Sequence, residues 1–229
     1  SDPSRVAPAR LALDLSAPAA GGDLAPAALR RLVVEAVDWR GPLPVSVRVG
    51  GRGDHPLAEE LIRFAHRLEC PTRLIATGPG LDLLRCKALI DRGLEAVRLV
   101  VAGSDPGLQF GELGVTDDAA ARALEALVGA RTSRGAALDI EVGLTWSVHA
   151  PGQAATVAQW AREGGADGLR ILPPHDSAGL AATADAVAGL RGLPGLRAAG
   201  GELEGLEALL RHGGGGPGLP RSQAAGPRR

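Results

Sequence analysis

Pro44-Val-Ser-Val-Arg-Val49 runs into Gly50-Gly51-Arg52-Gly53-Asp54-His55-Pro56, and Leu57 to Leu68 follows with helical spacing. Valine at every second position is the mark of a strand with one covered face. The glycine pair ends it, and a helix begins a few residues later. The same unit recurs on both sides. Upstream, the strand Leu11–Leu15 precedes a helix over Leu24–Val37. Downstream, Thr72–Ala76 precedes a helix over Leu81–Ile90, and Ala96–Val101 precedes one over Asp117–Val128. Leu138–Trp146 precedes a helix over Ala154–Glu163, and Gly168–Leu172, closed by Pro173-Pro174, precedes one over Ser177–Leu190. Six strand–helix units in strict alternation predict an α/β fold with a parallel sheet and outer helices. Right-handed crossovers then either curl it into a barrel or wind it both ways. Arg197-Ala-Ala199 with Glu202–Leu210 is a candidate short seventh unit.

The expected organisation is an extension over 1–10, one domain over 11–192, a C-terminal extension over 193–212 and a flexible Gly/Pro-rich tail over 213–229. The 229 residues are 45% apolar, enough for one domain with a large core. The formal net charge is −1, with three Trp, two Phe and no Tyr. This argues against nucleic-acid partners, which need basic patches and stacking platforms, and against charge-driven binding to anionic membranes. No apolar run reaches the roughly 18 residues of a membrane span, and Ser1–Arg10 has no signal-peptide core, so the expected location is the cytoplasm. The richness in Ala, Leu, Gly, Arg and Pro fits a GC-rich bacterial coding bias. Cys70 and Cys86 read as buried free thiols rather than a disulfide framework.

Several segments, in order, resemble the radical S-adenosylmethionine (SAM) family. Gly50-Gly51-Arg52-Gly53-Asp54-His55-Pro56 is similar to that family's Gly-Gly-Glu-Pro loop. Thr72-Arg-Leu-Ile-Ala-Thr-Gly78 is similar to its strand ending in Thr-Asn-Gly. Gly93 to Pro106 is similar to its strand ending in Ser-Leu-Asp-Gly, and Gly164 to Pro174 to its sixth strand. The resemblance covers about residues 10–192 and implies a partial (β/α)6 barrel of the TIM type. It also implies what is missing. The family holds a [4Fe–4S] cluster on three cysteines in the loop after the first strand, and here that loop, Ser16-Ala-Pro-Ala-Ala-Gly-Gly-Asp23, has none. Arg52 aligns with the Glu that meets the SAM amino group, and Val100 and Ala102 align with polar SAM contacts. The resemblance therefore implies no cluster, weak or absent SAM binding, and no radical chemistry.

Charged residues recur inside the strands: Asp14, Arg48, Arg98, Glu141 and Arg170. Their neighbours are apolar, so the two-residue period places all five on the lumen face. They form either a structural ion-pair network, with Asp14 beside Arg48, or a cationic pocket for a carboxylate or phosphate. Gly50-Gly51 is either a tight turn or a place where backbone amides approach an anion. Asp54 and His55, with His149 and the His175-Asp176 pair, fall in loops at one end of the barrel. They are either solvated or a metal or acid–base site.

Three functions follow as expectations. The first is a non-catalytic radical SAM-like protein that partners an active radical SAM enzyme or holds a peptide substrate in natural-product modification. The second is a non-radical lyase or hydrolase on the same barrel, and the third a protein that binds SAM without cleaving it. Dinucleotide, P-loop, nucleophile-elbow and zinc-protease motifs are all absent from the sequence.

Overall fold

Each strand buries every second residue on one face, and that face decides the layering. Val47 and Val49, Leu74 and Ala76, Val97, Leu99 and Val101, then Ile140, Val142 and Leu144 all point under the helices. The computed structural model describes residues 10–15, 25–41, 43, 45–51, 53–103, 113, 117–145, 153–172 and 197–198. Within them the order is β1 (Arg10–Asp14), α1 (Pro26–Arg40), β2 (Ser46–Gly50), α2 (Pro56–Arg67), β3 (Thr72–Ala76) and α3 (Leu83–Asp91). It continues through β4 (Ala96–Val101), α4 (Asp117–Arg134), β5 (Asp139–Thr145), α5 (Gln153–Glu163), β6 (Gly168–Leu172) and β7 (Arg197–Ala198).

All neighbouring strands pair in parallel, in chain order from β1 to β7, and no pairing joins β1 to β7 among the described residues. The architecture is thus the expected α/β one: a parallel sheet, open rather than closed, with a partial-barrel form. The candidate seventh unit contributes its strand, with Arg197 in register with Gly168. The expected helices over Ser177–Leu190 and Glu202–Leu210, the extension before Arg10 and the tail over 213–229 lie outside the described residues.

The helices follow from local chemistry. Pro56 opens α2 where its missing N–H costs nothing. His55 caps that helix, its Nδ1 accepting the Leu57 N–H at 3.2 Å. Ala58, Leu61, Ile62 and Ala65 form the buried stripe. Asp82 caps α3 by accepting the Arg85 N–H at 2.7 Å. Two helices run past their expected ends. α1 continues beyond Val37 to Arg40 and stops at Gly41, whose φ is +66°. α4 continues beyond Val128 to Arg134, because its last turn is tied down: Arg131 meets Asp167 at 2.6 Å and the Gly165 carbonyl at 2.9 Å. No described helix is long and apolar enough to cross a membrane.

The loop from β3 to α3 depends on Gly78. Its φ is +111°, and a Cβ there would lie 2.9 Å from the Ala119 carbonyl oxygen in the first turn of α4. Backbone cannot yield as a side-chain tip can. Gly78→Ala should therefore cost about 1–2 kcal/mol, from the strained φ and the clash together. Urea unfolding would measure it, and a loss below about 0.5 kcal/mol, typical of an unconstrained surface site, would show that the loop gives way.

Candidate functional site

The other face of the sheet is the lumen, and its chemistry is set by β3 to β6. Parallel pairing puts Arg98 in register with Glu141, and Arg73 in register with Ala96, next to Asp139. Arg170 sits one step higher, opposite Gly143. Glu141 is the centre. Its Oε2 accepts from Arg98 Nε at 2.8 Å and from Arg73 Nη1 at 2.9 Å, and its Oε1 accepts from Arg170 Nε at 2.9 Å. Arg73 also reaches Asp139 at 3.4 Å. Arg98 and Glu141 are both buried.

Buried charges persist only when paired and hydrogen-bonded, and this carboxylate is surrounded by partners. Burial by itself pushes the Glu141 carboxyl up. The hydrogen bonds and charges of Arg170 and Arg98 outweigh it and hold the group below the usual carboxylate value. Burial lowers Arg98, with the like charges of Arg170 and Arg73 acting in the same direction and Glu141 opposing them. A guanidinium stays charged through such a shift.

Of the five charges expected in the lumen, Arg98, Glu141 and Arg170 meet directly. Arg73, which completes the set, was not singled out in the sequence, although the same two-residue period marks it. Its neighbour Thr72 is polar and hides the alternation. Thr72 is nevertheless buried, its hydroxyl donating to the Gly93 carbonyl at 2.7 Å. Asp14 and Arg48 lie elsewhere on the same face, beside a cavity of about 520 Å3 that Gly50, Gly51, Ile75, Val100 and Leu113 also line. Asp14 is exposed on that face, and among the described residues β1 has a strand on one side only.

The loop candidates divide as well. Gly51 has φ +134°, a glycine conformation, and its N–H donates to the Ile75 carbonyl at 3.0 Å. That amide continues the sheet hydrogen bonding and is not turned to an anion. His55 is a helix cap, and Asp54 packs against Gly80. Arg52, His149, His175 and Asp176 lie outside the described residues, as does the loop Ser16–Asp23. Among the described residues no three His, Cys, Asp or Glu side chains cluster to hold a metal. Cys70 is buried between α2 and β3, and Cys86 is buried in α3 on the helix side of the sheet. Burial, with the Asp82 charge nearby, pushes the Cys86 thiol up to about 12.

No family model matches the sequence, and no curated protein matches it. Solved structures do match. SuiB from Streptococcus suis, determined with S-adenosylmethionine bound, is 15% identical over 90% of this chain and 45% of its own, with a TM-score of 0.59. anSMEcpe, with bound AdoMet and the Cp18Cys peptide, is 14% identical over 80% of this chain and 59% of its own, also at 0.59. A deoxyribose phosphate aldolase from Aeropyrum pernix is 15% identical over 80% of this chain and 73% of its own, at 0.51. The chain spans just under half the length of SuiB. The chain shares an α/β partial-barrel fold with these structures, and at these identities the likeness is one of fold alone.

Proposed function

We propose that this chain is a radical SAM-like protein that works without a [4Fe–4S] cluster, as a non-catalytic partner or substrate-binding subunit in peptide or natural-product modification. One observation carries the reading: the thiols are in the wrong places. Cluster irons are held by thiolates, and ligands in such barrels are built at the C-terminal ends of the strands. Cys70 precedes β3 at the opposite end, and Cys86 lies in the helix layer. The loop after β1 has no cysteine in its sequence. A thiol raised to about 12 stays protonated at neutral pH and is a poor ligand. The residues present do not fit the cluster.

They are also a poor match to the SAM contacts. The apolar Val100 lines the cavity where the resemblance implies a polar contact, and Ala102 is buried. In the resemblance, Arg52 aligns with the carboxylate that would meet an ammonium. A role in holding a peptide draws support from the neighbours: SuiB has been solved bound to the precursor peptide SuiA, and anSMEcpe with a peptide.

Anaerobic reconstitution with iron and sulfide should give no cluster absorbance, and calorimetry should show SAM binding no tighter than roughly millimolar, about −4 kcal/mol. Stoichiometric iron and sulfide retained by the chain would overturn the cluster-free reading. Micromolar SAM affinity would favour a protein that binds SAM without cleaving it.

A further inference from the structure

The outer side of β1 is a sheet edge with an apolar overhang. Leu15 donates its N–H to the Gly50 carbonyl of β2 at 2.8 Å. Backbone groups of successive strand residues turn to opposite sides. Leu11 and Leu13 therefore also turn theirs to β2, while Arg10, Ala12 and Asp14 turn theirs outward. Among the described residues β1 pairs with β2 alone. The three outward-turned residues are all exposed, whereas Leu11, Leu13 and Leu15 pack into the core layer under the helices. α1 carries the overhang. Arg30 meets Glu60 of α2 at 3.3 Å, which fixes the side of α1 that faces α2. At 3.6 residues per turn, Leu32 and Trp39 both lie about half a turn round from Arg30, on the side away from α2. They are 41% and 58% exposed. A row of outward backbone groups beside exposed apolar side chains is a template for one more strand.

We propose that this edge takes an extended peptide as an added strand, antiparallel to β1, with the residue order basic, apolar, small, apolar, acidic. Antiparallel pairing is the slightly more stable form, and in it Ala12 exchanges both its backbone hydrogen bonds with the residue opposite. The small residue falls there. The basic residue then faces Asp14 and the acidic one Arg10, because residues two apart share a face and the two chains run in opposite directions. The two apolar residues continue the layer of Leu11 and Leu13 and lie beside Leu32 and Trp39, covering apolar surface that is now in water. Arg10 and Asp14 have contacts of their own within the chain. The site needs only their opposite signs at matched positions, since exposed contacts exchange at little cost. A second copy is the poorer occupant. Antiparallel β1 strands related by a two-fold axis would send both sheets curling over one lumen, where the two barrels collide. The inference rests on the peptide-holding reading above and gives it a place and a sequence pattern. Ala12 and Asp14 also line the cavity of about 520 Å3, so the bound strand extends its wall.

The probes are the capped peptide Thr-Lys-Val-Ala-Val-Glu-Thr, the same peptide N-methylated at its alanine or at its first valine, and the reversed order Thr-Glu-Val-Ala-Val-Lys-Thr. Each is titrated into the full chain. Calorimetry and tryptophan fluorescence read affinity, NMR reads exchange of the Ala12 amide, and sedimentation reads the oligomeric state. The parent peptide should bind saturably and slow exchange at Ala12 about tenfold or more. It should shift tryptophan emission to the blue, and Trp39→Phe should lose that shift. Methylating the alanine removes the N–H that reaches Ala12 and should weaken binding about tenfold. The valine N–H points away from β1, so its methylation should cost much less. The reversed peptide should bind about fivefold more weakly, and Arg10→Glu combined with Asp14→Arg should invert that preference. Binding that ignores the alanine methyl group or the order of charges overturns the edge site and leaves the chain a peptide holder at another place. Absence of saturable binding overturns it as well. So does an Ala12 amide already protected in the free chain, a dimer then showing a second copy on the edge and a monomer the chain's own segments. Iron and sulfide retained on reconstitution would sink the cluster-free reading without altering any of these affinities.

Discussion

Replacing Glu141 with Ala should cost about 3–5 kcal/mol of folding stability, because it leaves buried guanidinium charge without its carboxylate. Three arginines donate to that one side chain, and the Arg98 side chain is only 6% exposed, which leaves little surface for water to take over. Glu141→Gln keeps the shape and should cost less. Urea unfolding at neutral pH measures both, with an unchanged slope showing that only stability moved. A loss under about 1 kcal/mol for the Ala variant would mean that the guanidiniums are hydrated rather than held. The same group predicts a pH dependence. Its folded value lies below the ordinary 4.5, so the unfolded chain binds the proton first as pH falls. The contribution is complete above about 4.5 and drains away as pH drops through the folded value. Glu141→Gln should flatten that acid limb. By contrast, Asp14→Ala should cost well under the roughly 3 kcal/mol that a buried Asp14–Arg48 pair would imply, since Asp14 is exposed.

The sequence carried the layering because each βα unit states its period twice, two in the strand and near four in the helix. Thr72–Ala76, Ala96–Val101 and Gly168–Leu172 match their observed strands residue for residue. Helix ends were less legible, since α1 and α4 end at Gly41 and Gly135, beyond their last apolar residues, and no periodicity extends over Asp38-Trp-Arg40. The lumen was half legible. Period two identifies which residues face inward, but only the stagger of the parallel strands says which of them meet. That stagger brings Arg170 to Glu141 from one step above and Arg73 from one step below, and leaves Asp14 at an edge. His55 illustrates the converse. A loop histidine beside an aspartate reads as chemistry, yet Pro56 begins a helix there, and a helix start needs an acceptor.

Arg85→Ala should cost about 2–3 kcal/mol and, more tellingly, should loosen the loop between β2 and α2. From the first turn of α3 this guanidinium donates to the Gly53 carbonyl at 3.0 Å, the His55 carbonyl at 3.0 Å and the Glu59 carboxylate at 2.6 Å. Two of the three acceptors belong to the loop that follows Gly50 and Gly51 at the cavity wall, and Glu59 ties the same cation to the first turn of α2. Hydrogen bonds to a charged group are worth about 1.5–3 kcal/mol each when well sheltered. This set is only partly buried and not additive, which sets the lower total. Gly53 has one further tether, its N–H donating to the Pro79 carbonyl at 3.2 Å, so the loop should fray rather than detach. Hydrogen exchange at Asp54 and Leu57 should quicken in Arg85→Ala, while the amides of β5 on the far side of β4 keep their protection. Arg85→Lys should recover the Glu59 contact but not the loop's protection, because an ammonium cannot span three acceptors in the fixed plane that a guanidinium offers. If exchange at Asp54 and Leu57 were unchanged in Arg85→Ala, the loop would owe its shape to its own turn chemistry, and Arg85 would serve only to join α2 to α3.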